Sequence, residues 1–129
     1  MASFPFELVS PERVLFSGHV NSVVVPAAEG DVTVLANHAP FMSAVRPGIV
    51  TVDGGKRLFV RGGFLDVNGS GLTLLAEQAV PVEEIDREKV ATEMKAAEDE
   101  LRAATTDEAR SLASERIAAL AAMMGAVRN

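Results

Sequence analysis

The sequence predicts a β-sandwich of about ten mainly antiparallel strands over residues 1–82, followed by a C-terminal antiparallel α-helical hairpin over residues 83–129. Three observations predict it. Nine of the ten glycines and all six prolines precede residue 82, and twelve alanines follow it, which separates a turn-rich region from a helix-forming one. The first region carries eight to ten short apolar runs at sandwich-like spacing, with no helical segment between them, so antiparallel pairing is expected. The last third carries two helix-start patterns.

Phe4, Phe6 and Leu8 alternate with Pro5 and Glu7, an edge-like strand with proline tolerated near its start. Ser10-Pro11-Glu12 is a turn before Arg13–Phe16, and His19–Val25 reads as one strand closing on Pro26. In Glu29-Gly30-Asp31 the glycine can take a positive φ. Val32 and Val34 then alternate with Thr33 and Leu35, the pattern of a half-buried strand. It ends at Asn37-His38-Ala39-Pro40, where Pro40 holds the preceding residue extended. Arg46-Pro47-Gly48 turns the chain into Ile49–Val52, and Asp53-Gly54-Gly55 joins that run to Arg57–Val60 as a hairpin. Gly62-Gly63 is expected to break or bulge the chain before Phe64–Val67, and Asn68–Gly71 turns it into Leu72–Ala76.

In the tail, Asp86 fits an N-cap, with Ile85 and Val90 forming a hydrophobic staple. Val90, Met94, Ala97, Leu101 and Ala104 share one helical face. Thr105 and Glu108 read as a capping box for a second helix, whose apolar stripe is Ala109, Leu112, Ala113, Ile117, Leu120, Met124 and Val127. A turn of two or three residues makes the pair antiparallel. The alanine-rich seam buries few methylenes, at about 0.8 kcal/mol each, so an arm that docks weakly and can detach is expected.

Composition excludes several function classes. With no cysteine there is no disulfide framework, thiolate nucleophile or Cys-ligated metal. Without tryptophan or tyrosine, platforms for stacking bases or sugars are few. The net charge of −6 argues against nucleic acid and anionic lipid as partners. The N-terminus lacks a basic n-region and a long apolar core, and the longest apolar run, Ile117–Val127, has eleven residues, so neither secretion nor membrane insertion is expected.

No enzyme mechanism can be assembled. His19 at a strand start reads as a solvated edge residue, and no zincin, nucleophile-elbow or Walker pattern occurs. Glu29 and Asp31 stand two residues apart with no third ligand in view, so a solvated loop is preferred to a metal or acid–base site. Glu98, Asp99 and Glu100, with Arg102, read as a solvated helix face.

Together these segments resemble the epsilon subunit of bacterial F-type ATP synthases, the counterpart of the mitochondrial delta subunit, over essentially the whole chain. The resemblance rests on Ser10-Pro11-Glu12 with Val14–Gly18, Glu29-Gly30-Asp31 with His38-Ala39-Pro40, Arg46-Pro47-Gly48, Gly62-Gly63-Phe64-Leu65-Asp66-Val67, and Leu74–Ala79. Thr33 departs from a common glycine and Ala36-Asn37 from Pro-Gly, so a more regular strand is expected here. The resemblance implies a non-catalytic central-stalk subunit that couples c-ring rotation to ATP synthesis in the catalytic head. It implies that Glu29, Gly30 and Asp31 touch the c-ring and that His38, Ala39 and Pro40 touch γ. It places the subunit at the cytoplasmic face of the bacterial inner membrane, as a peripheral part of the complex.

In some members the helical arm reaches the α/β head and inhibits ATP hydrolysis. Arg102, Arg110, Arg116 and Arg128 could meet acidic head surfaces, although the arm holds eleven acids against seven bases from Glu83 onward. Some members bind ATP at Ile/Leu-Asp-x-x-Arg-Ala. Here Ile85 and Asp86 are kept, but Lys89 replaces arginine and Val90 replaces alanine. Lysine lacks the bidentate fork, so at most a weak regulatory ATP site, and no cofactor, is expected. Two rivals remain: a free-standing sandwich module dimerising through its helical hairpin, and a small hydrolase using Asp31, His38 and Ser43.

Overall fold

A computed structural model describes residues 2–128; the side chain of Arg128, one of the four arginines named above, lies outside the described residues. The chain divides into two compact units, Met1–Val82 and Glu83–Asn129.

Among the described residues the first unit holds eight strands: β1 (Phe4–Val9), β2 (Val14–Val20), β3 (Val23–Ala27), β4 (Gly30–Val34), β5 (Phe41–Ala44), β6 (Gly48–Val52), β7 (Lys56–Asn68) and β8 (Gly71–Pro81). They are hydrogen-bonded in the order β2-β1-β8-β7-β6-β3-β4, with β5 also on β7. All pairs are antiparallel except β1 with β8. The inward residues form one core that includes Phe6, Leu8, Val23, Val25, Val50, Leu58, Leu65 and Leu74.

The count falls below ten because β7 and β8 are long. The Gly62-Gly63 pair neither breaks nor bulges β7: the pairing with β8 runs in one register from Leu58↔Pro81 to Asn68↔Gly71. Both glycines take positive φ, 72° and 128°. Before them Leu58 and Val60 face the core; after them Leu65 and Val67 do. An ordinary strand keeps one parity throughout. The glycines switch it, so one strand serves both layers. Accordingly β6 pairs with the first half of β7 and β5 with the second.

Two further boundaries differ from expectation. His19–Val25 is two strands divided by a tight turn at Asn21-Ser22, because Asp53 Oδ1 accepts from both Asn21 N (2.7 Å) and Ser22 N (3.0 Å). The four-residue β5 is additional to the strands expected from the sequence; its partners lie twenty or more residues away, and so short a run carries little pattern. The β3–β4 register is unbroken through Thr33, consistent with a regular strand there.

A 3₁₀ turn (Val82–Glu84) spans the boundary, and among the described residues the second unit holds two helices, α1 (Arg87–Ala103) and α2 (Asp107–Arg128). Asp86 caps α1, accepting from Glu88 N and Lys89 N. Ile85 and Val90 sit in the same apolar cluster, which is the staple. The cap of α2 is Thr106 and not Thr105: its Oγ1 accepts from Ala109 N at 3.1 Å. That puts alanine at N3, so Glu108 cannot close a capping box. Ala113, Ile117, Leu120 and Met124 turn inward or partly so, but Leu112 is 68% exposed. It lies about 100° round the helix from Ala113. Arg116 bridges to Glu100 across the hairpin at 2.7 Å.

Candidate functional site

The two segments singled out by sequence lie at opposite ends of β4. At its start, Ala28 and Glu29 form the two-residue turn of the β3–β4 hairpin, and Gly30 (φ 143°) pairs with Ala27. No Cβ-sized obstacle lies within 4 Å of Gly30, so backbone conformation selects glycine there and crowding does not.

The turn is fastened to the β5–β6 connection. The Arg46 guanidinium ion-pairs with Asp31, its Nε donates to Ala27 O at 3.1 Å, and Arg46 N donates to Pro26 O at 3.0 Å. Ala28 N donates to Ser43 Oγ at 3.2 Å. Glu29 is exposed on the turn. Beside it an open hollow of about 400 Å³ is lined by Glu29, Asp31, Val32, Phe41 and Met42. The surface is therefore an acidic lip over an apolar floor, with one of its two carboxylates already neutralised. In the sequence Arg46 is a lone cation before Pro-Gly, which gives no sign that it folds back onto Asp31.

At the far end of β4, His38 N donates to Leu35 O at 3.0 Å and closes a tight turn. His38 Nδ1 lies 2.7 Å from Ala39 O, a bond that needs the ring proton on Nδ1. The ring tilts against Phe41 at 6.2 Å. Leu35 is 55% exposed, and Ala39 and Pro40 are exposed. This is a mixed polar and apolar rim.

The hydrolase reading fails on geometry. Asp31 is held by Arg46, the Ser43 hydroxyl donates to Ala44 O at 2.8 Å, and His38 bonds its own neighbour's carbonyl. None of the three bonds another, so no base reaches a nucleophile. Among the described residues no group of three or more His, Cys, Asp or Glu is arranged to hold a metal ion. At the candidate ATP segment, Asp86 Oδ1 is engaged by the helix cap at 3.0 and 3.2 Å, and Ile85 packs into the helical cluster. Two of the three residues named for ATP therefore have structural duties. No helix among the described residues is long and apolar enough to cross a membrane.

Comparison with known proteins points one way. Residues 3–82 match the family model for the β-sandwich domain of the ATP synthase delta/epsilon chain. The ATP synthase epsilon chain of Maricaulis maris is 52% identical over 121 residues, 92% of this chain and 91% of that one. The epsilon chain of Mesorhizobium japonicum is 46% identical over 129 residues, 97% and 96% of the two chains. A chain in the Euglena gracilis mitochondrial ATP synthase OSCP/F1/c-ring structure superposes with a TM-score of 0.84 at 25% identity, covering 98% of this chain and 82% of its own length.

Proposed function

This chain belongs to the ATP synthase delta/epsilon family, and from that premise we propose that it is the epsilon subunit of an F-type ATP synthase, a central-stalk component. In this reading it couples rotation of the c-ring to ATP synthesis in the catalytic head and performs no chemistry of its own. It works as a peripheral subunit at the cytoplasmic face of the bacterial inner membrane. The near-full-length likeness to chains named ATP synthase epsilon carries the reading.

The two ends of β4 support a two-sided contact. The Glu29–Asp31 hairpin would meet the polar loops of the c-ring, and the His38–Pro40 rim would meet γ. An acidic lip pinned by Arg46 is a pre-ordered partner for basic loop residues. The helical unit would be an arm toward the α/β head, where Arg102 and Arg110 are both held by acids of their own helix, Asp99 and Asp107. An inhibitory contact would have to share these exposed arginines with the acids they already hold. ATP binding at Asp86 and Lys89 would have to compete with the α1 cap, so calorimetry on the isolated subunit at millimolar ATP is expected to show no heat.

Affinity purification of the tagged chain from detergent-solubilised membranes tests the function. Recovery of γ at a 1:1 ratio with c-ring and head subunits is expected. A monomer or homodimer without γ would sink the stalk reading in favour of a free-standing module.

A further inference from the structure

Methionine is concentrated where the two helices close on each other. The chain has five methionines. Met94 lies on α1 and Met123 and Met124 on α2, and all three pack against the buried cluster of Val90, Ala97 and Leu120, which Ile85 and Ile117 complete. Of the seven cluster side chains larger than alanine among the described residues, three are therefore thioethers. The Glu100–Arg116 bridge fixes the antiparallel register of the hairpin. Met94 lies six residues before Glu100, and Met123 and Met124 lie seven and eight after Arg116. The three sulfurs thus belong to the end of the seam away from the Ala104–Thr106 turn.

Each of the three residues is partly buried, neither sealed in the core nor free of it. The other five members of the cluster are aliphatic, and their side chains offer no hydrogen-bond donor. With no cysteine, tryptophan or tyrosine in the chain, the thioethers are its most readily oxidised groups.

We propose that Met94, Met123 and Met124 form a methionine-oxidation site, at which a peroxide reversibly loosens the α1–α2 seam. In the step, a thioether lone pair attacks one oxygen of hydrogen peroxide. The S–O bond forms as the O–O bond breaks; the sulfur gives up two electrons and the peroxide gains them. The displaced hydroxide takes the proton of the transferred hydroxyl and leaves as water. The sulfoxide carries a strong acceptor on a side chain that was apolar. Kept inside, it meets no donor; turned out to water, it vacates its place in the cluster. The alanine-rich seam has few other methylenes to hold the helices together. Methionine sulfoxide reductases, one for each epimer, restore the thioether. The inference concerns the helical unit alone and stands or falls independently of the stalk reading.

The test treats the full chain with hydrogen peroxide, maps sulfoxides by peptide mass and follows amide exchange. Met42, 63% exposed on β5 of the other unit, is the internal reference. Oxidation of Met94, Met123 and Met124 is expected to speed exchange across residues 90–124 about tenfold or more. The β7–β8 amides are expected to stay unchanged, and the reductases to reverse the effect. Met42→Leu is expected to respond as the wild type does. The triple variant Met94→Leu, Met123→Leu and Met124→Leu, a nearly volume-conserving change, is expected to lose the response. Four results would each overturn the proposal: complete oxidation of Met42 with the helical thioethers intact, unchanged exchange once all three are oxidised, fast exchange persisting after full reduction, or wild-type acceleration in the triple variant. The first three need only the wild-type chain, so they do not depend on the variant folding.

Discussion

Arg46 ion-pairs with Asp31 fifteen residues earlier, and its Nε also holds Ala27 O at 3.1 Å, so one side chain closes the β3–β4 hairpin from outside. Both partners are substantially exposed, which limits the stability of the pair itself to less than about 1 kcal/mol. Its larger effect is on charge: Asp31 is compensated within the chain, so in the proposed ring contact Glu29 is the carboxylate left to the partner. Glu29→Lys should therefore lower ATP-driven proton uptake in inverted membrane vesicles by about threefold or more, while Asp31→Asn lowers it less than twofold. Equal losses would show that both carboxylates matter and that pairing with Arg46 does not remove Asp31 from the proposed contact.

Asp53 combines two duties that asparagine can share and alanine cannot. It sits at φ 52°, a region that aspartate and asparagine tolerate better than most residues. Its Oδ1 accepts from Asn21 N and Ser22 N, joining the β6–β7 turn to the β2–β3 turn. Asp53→Ala should destabilise the sandwich by about 1–3 kcal/mol, and Asp53→Asn by less than half of that. Urea unfolding of the two variants would separate them.

Gly63 is fixed by space as well as by conformation. A Cβ there would stand 2.1 Å from Leu75 O and 2.8 Å from Ala76 Cα. Both are backbone atoms, so nothing can rotate away. Gly63→Ala should cost several kcal/mol, enough to leave much of the chain unfolded at 37 °C. Gly54→Ala, also at positive φ but with open space around it, should cost only about 1 kcal/mol. Thermal melts of the two proteins give the comparison directly.

The sequence was most legible where local chemistry decides. Alternation at Phe4–Leu8 and Val32–Leu35, and the cap at Asp86, depend on neighbours within a few residues. It was least legible where distant segments meet. The Asn21-Ser22 turn is stabilised by Asp53, the Asp31 carboxylate is claimed by Arg46, and the Gly62-Gly63 parity switch acquires meaning only once both layers exist. Phe64 and Leu75 likewise each read as ordinary strand residues, and only the β7–β8 register sets them side by side.

The α2 cap shows how a local pattern can mislead by one residue. Thr105 followed at the third position by Glu108 is a formal capping box, yet Thr106 Oγ1 takes Ala109 N and Arg110 N bonds Thr106 O. Starting the helix one residue later puts Asp107 and Glu108 in its first turn, where carboxylates favour the helix dipole. It also leaves Ala104, Thr105 and Thr106 to span the turn from α1. Thr106→Ala should therefore destabilise the helical unit by about 1 kcal/mol, and Thr105→Ala should be within about 0.5 kcal/mol of wild type. Amide exchange in α2 gives the readout: faster exchange across residues 107–112 in Thr106→Ala alone is expected, whereas the same acceleration in Thr105→Ala would restore the capping box.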